Sequence, residues 1–125
     1  MIGWWIVVST QTPQERDHAD QDTRRAAILA QWEAGADGIR WVEQLAEQGK
    51  AAKLSGSGYP NRYTAQARDV LPLLGVAPPA AGGTLIIGDD YVMPSNWRGK
   101  IELHAERVAA CPADHVLTID AWDQS

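Results

Sequence analysis

Lys50-Ala51-Ala52-Lys53-Leu54-Ser55-Gly56-Ser57-Gly58-Tyr59-Pro60-Asn61-Arg62-Tyr63-Thr64-Ala65-Gln66-Ala67-Arg68 is where the period of this chain changes. Two arms, Lys50 to Gly56 and Arg62 to Arg68, flank a segment whose Pro60-Asn61 step is turn chemistry. The stretch reads as a β-hairpin; the alternative for its second arm is a helix starting at Thr64.

Upstream of the hairpin the chain reads as one strand and two helices. Ile2 to Val8 is β-branched and aromatic, as in a buried strand. Thr10 to Ala19 is polar, holds Pro13 and reads as a loop. Asp20 or Asp22 can cap a helix running to about Ala34, with Ile28, Leu29 and Trp32 on one side and Gly35 as the stop. Asp37 can cap a second helix from Gly38 to Gln48, whose apolar stripe is Ile39, Val42, Leu45 and Ala46 and which Gly49 ends.

Downstream, short apolar runs alternate with turn residues. Asp69 to Leu74 reads as a helical turn interrupted by Pro72, and Val76 to Gly83 as a linker-like loop. Thr84 to Ile87 is a short strand, and Gly88 to Gly99 a surface loop. Lys100 to His104 is a half-buried strand, Ala105 to Ala110 a short helix or turn, and Val116 to Trp122 the last strand. Helices early and strands late predict a single α+β domain over 1–125. It has a mainly antiparallel sheet of five or six strands, with the two early helices packed on one face.

A chain of 125 residues with 45% hydrophobic and 22% charged residues has globular composition. The single cysteine, Cys111, rules out an intrachain disulfide and favours a reducing compartment. The apolar N-terminal run is short and has no basic residue before Arg16, unlike a signal peptide, so a cytoplasmic location is expected and no membrane association. Net charge is −5. Residues 1–82 hold nine acids and eight bases, and residues 83–125 hold seven acids and three bases, so −4 of the total lies in the last third. An acidic balance disfavours general nucleic-acid binding, which depends on neutralising phosphates.

Four catalytic or ligand-binding patterns are weak. His104, Cys111 and His115 are metal-ligand types, but their spacing matches no paired zinc pattern, and no metal is expected. Ser55-Gly56-Ser57-Gly58 lacks the strand, Lys and helix context of a phosphate loop. Asp89-Asp90 follows a strand, a common place for metal-binding acids, but no further acid or His is spaced as a partner for metal-assisted hydrolysis. Cys111 reads as a small buried thiol, and no Gly-x-Ser-x-Gly elbow is present. No catalytic residue and no cofactor are assigned.

Two surfaces remain. Lys53, Tyr59, Arg62, Tyr63 and Arg68 would make a basic-aromatic patch for an anion, a nucleotide or single-stranded nucleic acid. Asp89, Asp90, Tyr91, Trp97, Asp120, Trp122 and Asp123 mix acids with aromatics, which suits gripping a basic protein. The aromatics supply contact area, and the acids steer encounter. With those residues, the chain resembles bacterial immunity proteins of contact-dependent inhibition and polymorphic toxin systems. The resemblance is one of type and carries over no residue's role. It implies a small cytoplasmic, non-enzymatic inhibitor covering the active site of a basic toxin or nuclease. The basic stretch at 50–68 departs from a purely acidic mimic.

Overall fold

The computed structural model describes residues 3–35, 38–56, 60–74 and 98–123. In chain order the elements are β1 (Trp4–Ser9), α1 (Pro13–His18), α2 (Gln21–Ala27), β2 (Ile28–Ala34), α3 (Arg40–Glu47) and β3 (Ala51–Gly56). They continue with β4 (Asn61–Gln66), α4 (Ala67–Leu74), β5 (Arg98–Leu103), α5 (Ala105–Ala110) and β6 (Val116–Asp123). Among the described residues the strands form one six-stranded sheet in the order β3-β4-β6-β1-β2-β5, with every pairing antiparallel. The fold is α+β. None of the described helices is long and apolar enough to cross a membrane.

Strand alternation sorts the central side chains onto two faces. Ile6 and Val8 of β1, Trp32 of β2, Tyr63 and Ala65 of β4, and Leu117, Ile119 and Ala121 of β6 point to the core face and are buried. There they meet Trp41, Val42 and Leu45 of α3 and Ala67, Val70 and Leu74 of α4. Trp32 and Trp41 pack with ring centroids 6.1 Å apart. The opposite face carries Trp5, Val7 and Ser9 of β1, Arg62 of β4, and Thr118, Asp120 and Trp122 of β6.

The hairpin at the opening stretch forms as read, with Ala51 paired to Ala65 and Lys53 to Tyr63. Its second arm ends at Gln66, where the chain turns directly into α4, which continues through Pro72. Helix α3 buries Val42 and Leu45 of its expected stripe together with Trp41, leaves Ile39 and Ala46 half-buried, and has Ile39 rather than Asp37 at its N-cap. Its C-terminus is a Schellman motif: Gly49 N–H donates to the Ala46 carbonyl at 3.1 Å and Lys50 N–H to the Leu45 carbonyl at 2.8 Å. Gly49 sits at φ +76°, and a Cβ there would meet nothing within 4 Å. Gly49→Ala is therefore expected to cost about 1 kcal/mol, all of it conformational, and Gly49→Asn less. Urea denaturation measures both.

Two segments differ from the sequence reading. The helix expected to reach Ala34 stops at Ala27, and Ile28–Ala34 is strand β2, held between β1 and β5. The apolar run fits either period, and pairing on both edges outweighs the helix preference of Ala, Gln and Glu. The segment read as a loop, Thr10 to Ala19, contains α1. Thr12 caps it with a complete capping box to Glu15, and Pro13 opens it. Consequently the helices on the core face are α3 and α4, whereas α1 and α2 bury no residue. The strand expected at 84–87 and residues 88–97 of the loop expected at 88–99 lie outside the described residues, while Arg98 and Gly99 belong to β5, where they pair with Ala34 and Glu33.

Candidate functional site

Among the described residues, the second face of the sheet is covered at one end and open at the other. At the Ser9 and Thr118 end, the chain entering α1 lies over the strands. Thr118 Oγ1 donates to the Gln11 carbonyl at 2.6 Å, and Gln11 N–H donates to Ser9 Oγ at 3.1 Å. At the other end Trp5 and Trp122 stand directly opposite one another across β1 and β6. Trp5 is half-buried and Trp122 is 38% exposed.

Asp120 lies between these ends and is fully buried. A buried carboxylate needs donors on both oxygens, and two arginines provide them. Arg62 Nε donates to Oδ1 at 2.7 Å and Arg62 Nη2 to Oδ2 at 3.1 Å. Arg16, on α1, donates Nε–H to Oδ2 at 2.8 Å. Arg62 Nη1 also donates to Asp17 at 3.0 Å, and this bond holds the Asp17 carboxyl below its ordinary range. The hydrogen bond to Asp120, against the opposing effect of burial, raises the Arg62 guanidinium well above its usual value. Arg24, on α2, donates Nε–H to the Arg16 carbonyl at 2.6 Å. Together with Ser55, Pro60 and Trp122 these residues line a cavity of about 420 Å³.

The described residues of the two surfaces proposed from sequence lie as follows. In the acidic set, Asp120 is internal and satisfied by Arg16 and Arg62, so it presents no charge to a partner. Trp122 is exposed beside it, while Asp123 is half-buried on the opposite side of the strand, in register with Trp4. Asp89, Asp90, Tyr91 and Trp97 lie outside the described residues. In the basic-aromatic set, Tyr63 is fully buried on the core face, and its hydroxyl donates to Glu43 at 2.6 Å. Burial, reinforced by Glu43, pushes its phenol up. Lys53 pairs with the same Glu43 oxygen at 2.9 Å and lies 5.8 Å from the Tyr63 ring centroid. Burial opposes the charge on Glu43, but hydrogen bonds from Lys53 and Tyr63 prevail and lower its carboxyl. Arg62 projects to the other face, Arg68 is exposed on α4, and Tyr59 lies outside the described residues. Lys53 and Tyr63 thus meet at Glu43 on the core side, whereas Arg62 lies on the other face.

The metal-ligand types are likewise dispersed. His104 Nε2 is 3.0 Å from Glu102, and His115 Nε2 is 2.7 Å from the Thr10 carbonyl. Cys111 is half-buried, and burial pushes its thiol up. Among the described residues no three His, Cys, Asp or Glu side chains are grouped to hold a metal ion. Sequence reasoning missed Arg16, Asp17 and Arg24, which sit in polar, charge-rich segments without a distinguishing pattern; the Thr12 capping box was the one available sign that Arg16 and Asp17 are held on a helix. Compared with protein-family models, curated proteins and solved structures, the chain matches none.

Proposed function

We propose that this protein is a non-enzymatic, cytoplasmic binding inhibitor of the immunity type, which occludes the active site of a basic toxin or nuclease. The observation that carries the reading is the open end of the second sheet face, where Trp122 is 38% exposed and stands across from Trp5. Strands β1 and β6 carry this pair, and the buried Arg16-Asp120-Arg62 network beside it on the same face holds the support in place. A large aromatic on a rigid base has the character of a binding hot spot, because it buries much area for little lost rotamer freedom. The net charge of −5 favours encounter with a basic partner.

The test is to inspect the neighbouring genes for a basic toxin domain and to titrate this protein into it, with the toxin's activity as readout. Stoichiometric inhibition is expected, with an association rate that falls as salt rises. Trp122→Ala is expected to weaken binding by about 2 kcal/mol or more, roughly 30-fold, with little change in thermal stability. Full toxin activity in the presence of excess protein rejects the reading.

A further inference from the structure

The cavity beside Trp122 has a charge surplus that its own residues leave unanswered. Three guanidiniums, of Arg16, Arg24 and Arg62, face two carboxylates, of Asp17 and Asp120, in a chain of net charge −5. The surplus is not spread evenly. Arg62 commits Nε, Nη1 and Nη2 to Asp120 and Asp17. Arg16 gives Asp120 its Nε–H, and its Nη1 is sealed from solvent with no acceptor among the described residues. Arg24 makes no ion pair among the described residues; its Nε–H is tied to the Arg16 carbonyl, which anchors the guanidinium at the cavity wall.

An anchored guanidinium with its Nη groups uncommitted is suited to forked recognition of an oxyanion, and Arg does this better than Lys because its donors are coplanar. Asp17 and Asp120 are already neutralised by Arg62 and Arg16, so they do not cancel the attraction. The adjoining wall is the exposed indole of Trp122, a flat apolar surface on which a planar ring stacks. A volume of about 420 Å³ lies in the range of small-molecule sites.

We propose that this cavity binds a small planar ring bearing one oxyanion, with the carboxylate or phosphate on Arg24 and the ring against Trp122. This goes beyond the inhibitor reading and involves no protein partner. A failed titration here leaves toxin inhibition untouched, and the reverse also holds.

The experiment is calorimetric titration of the isolated protein, followed in parallel by tryptophan fluorescence, with benzoate and adenosine monophosphate as ring-bearing probes. Acetate, inorganic phosphate and adenosine lack either the ring or the anion. Saturable binding of benzoate identifies a carboxylate ligand, and saturable binding of adenosine monophosphate a phosphate ligand; each control is expected to bind at least about tenfold more weakly. Arg24→Gln, at an exposed position, is expected to weaken binding about tenfold or more without moving the melting temperature. Trp122→Leu is expected to bring the ring-bearing probe down to the affinity of its ring-free counterpart. The proposal is overturned if neither probe saturates by about 10 mM, if Arg24→Gln binds as tightly as the unmodified protein, or if the controls match the probes.

Discussion

Asp120→Ala is expected to lower the unfolding free energy by about 3–5 kcal/mol. The carboxylate is fully buried and answers two guanidiniums whose side chains are only 11% and 15% exposed. Truncation leaves Arg16 without its counter-ion and Arg62 with only the exposed Asp17, two desolvated cations side by side, so the penalty comes from stranded charge more than from a lost contact. In thermal denaturation this corresponds to a drop of roughly 10–25 °C for a domain of this size. Asp120→Asn, which keeps the shape and one acceptor oxygen, should fall between Ala and the unmodified protein. The triple replacement Arg16→Met, Asp120→Leu, Arg62→Met removes all three charges together and is expected to recover most of the loss. A triple variant as unstable as Asp120→Ala would show that packing, not charge, governs this face.

Trp32→Ala is expected to cost a comparable 3–5 kcal/mol, for an apolar reason. Trp32 is fully buried at the centre of β2 and packs on Trp41 of α3, so it joins the sheet to its helical layer. Its removal opens a cavity between two elements that cannot close without shifting the helix. Its indole Nε1 is buried with no acceptor among the described residues. Trp32→Phe therefore also removes an unanswered donor and should cost much less than the alanine variant. Leu54→Ala, at a side chain 54% exposed, should change stability by no more than about 0.5 kcal/mol. Urea midpoints of the three variants measure the differences, and near-equal midpoints for Trp32→Ala and Leu54→Ala would contradict the core described above.

Trp32 also shows what kind of information a linear sequence holds. That Trp32 shares one apolar side with Ile28 and Leu29 was legible, though not whether that side is core or interface. That it would be buried in a strand was not. A run of apolar residues fits a helix face and a strand paired on both edges alike, and hydrogen bonds to β1 and β5 decide between them. The proposed site shows the same limit more sharply. Asp120 is 104 residues from Arg16 and 58 from Arg62. Taken singly, each is an ordinary charged residue in a polar or amphipathic stretch. An acid near the C-terminus reads as surface charge until the register of β6 against β4 sets it opposite Arg62.

By itself, then, the sequence determined the α+β class, the first arm of the hairpin, helix α3 with its Gly49 terminus, and the last strand; that the second arm is a strand as far as Gln66 came from its pairing with β3 and β6. In each, the signal is local: a turn dipeptide, an apolar stripe or a left-handed glycine acts within a few residues of where it is written. Only the tertiary structure decided that Ile28–Ala34 is a strand, that Asp120 is internal rather than presented, and that Arg16, Arg24 and Arg62 meet at one cavity beside Trp122. Those outcomes depend on strand register and on which sheet face each side chain takes. Register is set by pairing between segments far apart in the chain, and a slip of one residue would exchange the two faces.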